Sequence, residues 1–367
     1  MATASAASSR VAAKSMRETF AQSLPELPLS GHGGNLLAAR KAYPQAPEPW
    51  LNLSTGINPY AYPFSDPPLE IFARLPQPEE LCALEAAAAR AYRAPTAAET
   101  VAAPGTQAII NWLPHLVPAK RVGILGFTYC EHARSWAVAG TKVTIAKKLA
   151  ELERQDVAIV VNPNNPDGRF VPAAELYALA ESLAARRGLL IVDEAFVDFL
   201  EPGASTVPGM PARGMIVLRS FGKTYGLPGL RLGFLIAPQP MAEKMRAALG
   251  PWPVSGAAIA IGSKALMDDV WLAGASTRLM AQGSTLDNIL IEADFAPIGG
   301  SMLFRFARHK DAQGQFDRLA KSGILVRRFA AHPEWLRFGI AGSDIDMTRL
   351  RAGLGLAANH RTDRLVD

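Results

Sequence analysis

Cysteine is nearly absent: Cys82 and Cys130 are the two in 367 residues, and they lie far apart. Neither a disulfide framework nor the paired spacing of a zinc site can be made from them, so both are expected to be reduced and partly buried. The six histidines are scattered without HxxxH or HxH spacing, and no metal is expected. No apolar run has the length of a membrane span, so no membrane partner is expected. Met1 to Lys14 is Ala/Ser-rich with two basic residues and has no apolar h-region, so the expected compartment is the cytoplasm. Excess charge is small. Thirty-eight Lys and Arg against 33 Asp and Glu leave +5, spread in short clusters such as Arg186-Arg187 and Arg327-Arg328. Without a basic stripe or interleaved aromatics, a nucleic-acid partner is not expected. The residual positive charge suits a site for small anionic ligands.

What is present suits a well-cored protein of about two domains, with 49% hydrophobic and 19% charged residues. Residues 1–28 read as a flexible arm and 29–45 as a segment joining a smaller domain. Tyr43 to Pro78 is too proline-rich for long helices and reads as an extended, loop-built stretch. From Glu79 a helical pattern runs to about Tyr92, and then strands alternate with helices. Val101–Ala103, Val122–Leu125, Lys142–Ile145, Val157–Val161, Leu189–Val192, Met215–Leu218 and Phe234–Ala237 are the apolar runs. That alternation implies an α/β fold with a mostly parallel, doubly wound sheet in a large domain, residues 46–250. Strands near Met302–Phe306, Ile324–Val326 and Trp335–Gly339 then imply a smaller α+β domain, residues 251–367.

The chemistry centres on Ser220-Phe221-Gly222-Lys223-Thr224-Tyr225-Gly226, a lysine in a Gly-containing turn between two apolar runs. A phosphate clamp, a salt bridge and a covalent amine compete for it. A P-loop needs a further glycine in the turn before its Gly-Lys pair, and the stretch from Met215 to Phe221 has none. Ligands of open α/β sheets bind at the carboxyl ends of strands, so polar residues at other run ends are informative. Gly105-Thr106-Gln107 opens a helix, where free N–H groups favour an anion or make a simple cap. Asn162-Pro163-Asn164-Asn165-Pro166-Asp167-Gly168 projects amides from a rigid turn, or is only an Asx-type turn. Asp193 ends an apolar run and needs a cationic or hydrogen-bonding partner, and Asp193-Glu194 as a magnesium pair would need the missing P-loop. Pyridoxal 5'-phosphate uses all these parts together: an amine for its aldehyde, a carboxylate for its ring nitrogen, and an anion site for its phosphate. Lys223, Asp193, and Gly105-Thr106 with Arg231 would fill those roles, with Asn165 donating to the phenolic oxygen.

In this order the motifs resemble those of fold-type I, class I/II aminotransferase-like enzymes, over about residues 30–355. Pro104-Gly105-Thr106-Gln107, Asn162 to Gly168, Asp193-Glu194-Ala195-Phe196 and Ser220-x-x-Lys223 with Gly229-Leu230-Arg231-Leu232-Gly233 carry the likeness. Two subgroups are most similar: one decarboxylates L-threonine O-3-phosphate for the aminopropanol arm of cobalamin, and one transaminates histidinol phosphate. His32-Gly33-Gly34-Asn35, Ser54 to Pro59, Phe127 to His132, and Phe196 where most aminotransferases carry tyrosine favour the first. Phe127 departs from the proline usual there. The resemblance implies that Gln107 lies in the cofactor site, Tyr129 stacks on the cofactor ring and Ser220 anchors its phosphate. It implies Arg337 as a carboxylate-binding arginine and Arg327 as a second substrate contact. His32, Asn35, Gly56 and Asn58, with Asn165 again, become candidates for the substrate, a small phosphorylated amino acid. Tyr60 resembles a residue that reaches the cofactor phosphate across a homodimer interface.

Overall fold

Apolar runs of five or six residues, covered by helices on both faces, build the central sheet of this computed structural model, which describes residues 33–357. The expected arm, residues 1–28, lies outside the described residues. A short strand, β1 (Leu51–Asn52), precedes the sheet. The sheet itself comprises β2 (Ala98–Ala103), β3 (Arg121–Leu125), β4 (Lys142–Ala146), β5 (Val157–Val161), β6 (Leu189–Asp193), β7 (Met215–Ser220) and β8 (Gly233–Pro238). Their order is β2-β8-β7-β6-β5-β3-β4. Strands β4, β3, β5, β6 and β7 are parallel, and β8 runs antiparallel to both of its neighbours. The sheet is therefore mostly parallel, as expected.

Every residue of β5 and β7 is buried, which is why their sequences lack polar alternation. On one face Ala158, Val160, Leu190, Val192 and Val217 pack with the helices Pro78–Ala91, Ala173–Ala184 and Gly256–Ala265. On the other, Val157, Ile159, Ile191, Ile216 and Leu218 pack with Thr106–Leu116, Cys130–Val138 and Gln239–Leu249. Cys82 and Cys130 are free and exposed rather than partly buried, because Leu84 and Ala88 take the inward face of the first of these helices and Trp136 that of Cys130–Val138.

A second sheet, of order β12-β13-β10-β9, is antiparallel: β9 (Ala296–Ser301), β10 (Phe304–Arg308), β12 (Arg327–Arg328) and β13 (Trp335–Gly339). The remaining strand, β11 (Ile324–Leu325), pairs with β1 in parallel. Its core collects residues from the helices Asp269–Glu292, Ala312–Lys321 and Asp344–Gly353, with Trp50 and Leu53 from the N-terminal side. Tyr43 adds a hydrogen bond, its hydroxyl donating to Asp317 Oδ1 at 2.6 Å. Ala195, Phe196 and Phe199 of the expected 46–250 domain also join this second core, while Ala258, Ile259, Ala265 and Leu266 of the expected 251–367 domain pack with the central sheet. Among the described residues no helix is long and apolar enough to cross a membrane.

Candidate active site

Strand β7 delivers Lys223. The strand ends at Ser220, which is 8% exposed, and a single helical turn follows, Phe221–Thr224. Burial pushes the Lys223 amine below the ordinary lysine value; Asp193 opposes that shift, and Arg337 and Arg231 add to it. Lys223 Nζ stands 5.2 Å from the centroid of the Phe196 ring. The turn is held from the proline-rich stretch. Asn58 N donates to Lys223 O at 2.9 Å, and Asn58 Nδ2 donates to Thr224 O at 2.9 Å. Asn58 Oδ1 accepts from Tyr60 N at 3.0 Å, so the side chain expected on the substrate is occupied in holding the lysine turn.

Asp193, at the end of β6, is 4% exposed and has the partner that its burial demands. His132 Nε2 lies 2.9 Å from Asp193 Oδ2, and Ala195 N donates to Oδ1 at 3.1 Å. The sequence carries His132 only as the last residue of the stretch Phe127 to His132 and gives it no role, because its partner Asp193 lies 61 residues away along the chain. The available signal was Asp193 itself, a carboxylate at a buried strand end.

An anion cradle lies at the start of the helix Thr106–Leu116. Gly105 precedes it with φ 81° and ψ 157°, a conformation open to glycine. A Cβ on Gly105 would come within 2.7 Å of Arg231 Nη2, so the guanidinium covers the helix N-terminus at close range. Gly233 permits the same approach from β8, where a Cβ would meet Thr106 N at 2.6 Å. Free N–H groups, the helix dipole and a cation converge there. Beside it, Tyr129 donates its hydroxyl to Gln107 Oε1 at 2.9 Å, and burial pushes its phenol above the ordinary tyrosine value.

The second sheet supplies cations. Arg337 on β13 and Arg327 on β12 are direct cross-strand partners. Arg337, 7% exposed, donates through Nη1 to Asn165 Oδ1 at 2.5 Å and through Nη2 to Ser54 O at 2.9 Å. Burial, and then the neighbouring Arg327, push its guanidinium down to about 9. Burial likewise lowers Arg327. Arg337 Nε is buried without a hydrogen-bond partner, as is Thr128 Oγ1 beside Tyr129. Two desolvated cations with an unspent donor make a receptor for an anion.

The remaining candidates divide. Phe196 stands edge-on to Phe304, with centroids 5.1 Å apart, and a Cβ on Gly56 would reach Phe304 at 2.8 Å and Phe196 at 2.9 Å. Gly56 therefore serves close packing under the lysine. Asn35 Oδ1 accepts from Ala38 N at 3.0 Å and caps the helix Leu36–Ala42, so it is not turned to a ligand. Tyr60 packs under Arg278, whose Cζ is 4.4 Å from the ring centroid. His32 lies outside the described residues. Lys223, Asp193, Gly105, Thr106, Gln107, Tyr129, Asn165, Phe196, Ser220, Arg231, Arg327 and Arg337 come from both sheets toward the carboxyl ends of β5, β6 and β7, joined by the contacts above.

Residues 70–354 match the family Aminotransferase class I and II. A threonine-phosphate decarboxylase from Sinorhizobium sp is 43% identical over 313 residues, covering 84% of this chain and 93% of that relative. One of the same name from Pseudomonas aeruginosa is 38% identical, covering 88% and 96%. Among solved structures, a histidinol-phosphate aminotransferase from Sinorhizobium meliloti, in complex with pyridoxal-5'-phosphate, has a TM-score of 0.74 at 23% identity, covering 91% of this chain and 95% of that one. On the family match and these relatives, the chain belongs to the class I and II aminotransferase family.

Proposed function

We propose that this protein is a pyridoxal 5'-phosphate-dependent decarboxylase. It converts L-threonine O-3-phosphate into (R)-1-amino-2-propanol O-2-phosphate and carbon dioxide, in the aminopropanol arm of cobalamin synthesis. The relatives named threonine-phosphate decarboxylase support the reading. The observation in the site that carries it is the cross-strand pair Arg327 and Arg337, two guanidinium groups desolvated by burial, of which Arg337 acts on Lys223 and Arg327 on Tyr129. A phosphorylated amino acid has two anionic ends, and two forks suit them.

The residues present fit the cofactor. Lys223 would bond its aldehyde, Asp193 would pair with its ring nitrogen, and Gly105, Thr106, Ser220 and Arg231 would hold its phosphate. Gln107 would hold Tyr129, which would stack on the ring. Asn165, with Oδ1 taken by Arg337, would offer its amide N–H to the phenolic oxygen. Phe196 brings a ring without a hydroxyl beside the lysine. Bound there, the cofactor supplies an electron sink for the pair left at the substrate Cα.

The protein's own residues do the rest. Arg337 and Arg327 bind the two ends of the substrate and thereby fix which bond at Cα is presented for cleavage. His132 holds the Asp193 carboxylate in place. Lys223 Nζ, deprotonated more readily than a free lysine, holds a proton and delivers it to Cα after carbon dioxide leaves. A cytoplasmic homodimer, with Tyr60 reaching the neighbouring copy's cofactor phosphate, belongs to the same reading. Purified protein supplied with cofactor and L-threonine O-3-phosphate is expected to release carbon dioxide stoichiometrically with the phosphorylated amino alcohol. Transamination dependent on 2-oxoglutarate, with no carbon dioxide, would overturn the assignment.

A further inference from the structure

Three site residues have a chain neighbour in one buried ionic network. Glu194 follows Asp193, Arg219 precedes Ser220, and Thr224 follows Lys223. Successive residues at a strand end face opposite ways, so the network lies behind the site, next to the segment Phe199–Val207. Glu194, fully buried, accepts from Thr206 N at 2.5 Å, Thr206 Oγ1 at 2.7 Å, Ser205 Oγ at 2.6 Å and Arg219 Nη1 at 3.0 Å. Arg219, 3% exposed, lies 4.2 Å over the Tyr92 ring and pairs through Nη2 with Asp198 Oδ1. The other oxygen of Asp198 accepts from Thr224 Oγ1. A buried ionic cluster of this kind adds little stability over an apolar core, which directs attention to what it positions.

It positions the lysine turn. Phe221–Thr224 is four residues long, far too short to hold helical form by itself. Asn58 grips its backbone carbonyls from one side. Asp198 grips the Thr224 hydroxyl from the other, and a β-branched side chain so bonded has one χ1 setting. We propose that Thr224 and Asp198 are a positioning pair: the hydroxyl-to-carboxylate bond, braced by Arg219 and Glu194, aims the Lys223 side chain into the site. Asp198 and Thr224 touch no reacting atom in this scheme. The inference rests on the proposed role of Lys223, and its test is chosen to stand apart from that role.

In cofactor-free protein, the pH dependence of Lys223 acylation by a small anhydride, followed by mass spectrometry, reports how the amine is placed. The charged groups facing it are Asp193, Arg337 and Arg231. In Thr224→Val the turn loosens, the amine reaches water, and the labelling midpoint is expected to rise by about one pH unit. Decarboxylation kcat is expected to fall about ten-fold, with KM within about two-fold. Thr224→Ser, which keeps the hydroxyl, is expected to retain both values. Ser205→Ala removes a donor to Glu194 and an acceptor from Arg219 but leaves the bond between Thr224 and Asp198 whole, and is expected to lower Tm while leaving the midpoint in place. A Thr224→Val protein with a lower Tm but an unmoved midpoint would overturn the proposal. So would a Ser205→Ala protein whose midpoint moves as far as that of Thr224→Val. If the native protein releases no carbon dioxide, the functional reading fails, while the labelling midpoints still decide the role of Thr224.

Discussion

Lys223 is pulled two ways: burial, Arg337 and Arg231 drive its amine toward neutrality, and Asp193 draws it back. Replacing Asp193 by Asn removes the one opposing charge among these, so the lysine labelling midpoint should fall further below that of the native protein. The sign for stability follows. A lysine whose folded pKa lies below its unfolded value binds fewer protons folded than unfolded between the two values. Its unfavourable contribution is therefore fully present below the folded pKa and is relieved as pH rises toward the unfolded value. Asp193→Asn widens that window, and urea unfolding at pH 7 and pH 10 should show a larger gain on raising pH than in the native protein. Its decarboxylation kcat should fall by about a hundred-fold or more, since the cofactor nitrogen loses its carboxylate. Asp193 was legible because it follows directly on an apolar run, and Lys223 because it sits in a glycine-containing turn between two such runs. His132 was not, because only the sheet carries its helix to the end of β6.

At the scale of elements, the start of the helix Thr106–Leu116 concentrates the constraint. Gly105→Ala would place a Cβ 2.7 Å from Arg231 Nη2 at a φ and ψ that side chains rarely adopt. A loss of about 1–3 kcal/mol in urea unfolding is expected. Displacing Arg231 should also weaken cofactor binding about ten-fold, measurable by equilibrium dialysis, through the lost charge-assisted contact. Most strands of the central sheet were legible as apolar runs bounded by turn residues. Strand β9 was not: Ala296–Ser301 holds a proline and two glycines, and its first three residues are exposed. Its pairing with β10 supplies what its composition lacks.

At the scale of the whole molecule, the two sheets meet where the turn after β5 reaches β9. Gly300 N donates to Asp167 O at 3.0 Å, and a Cβ on Gly168 (φ 71°) would collide with the Gly300 carbonyl. The bond from Arg337 to Asn165 starts in the same turn. Gly168→Ala should therefore destabilise the fold by about 3 kcal/mol. It should also raise KM more than it lowers kcat, because Asn165 and Arg337 lose their common footing; chemical unfolding and steady-state kinetics check the two effects. The sequence by itself determined the alternation of strands and helices, the polar groups at the strand ends, and hence the cofactor that those groups suit. Each of these depends on residues close together in the chain. Only the tertiary structure decided that β8 runs against its neighbours and that Arg327 and Arg337 stand as one pair. It also decided that Asn58 and Asp198 grip the lysine turn, while Asn35 caps a helix. Apart from the local cap of Asn35 on Ala38, those partners lie ten or more residues apart along the chain, and a side chain's choice between ligand, cap and brace is set by which strand or turn folding brings within hydrogen-bond reach.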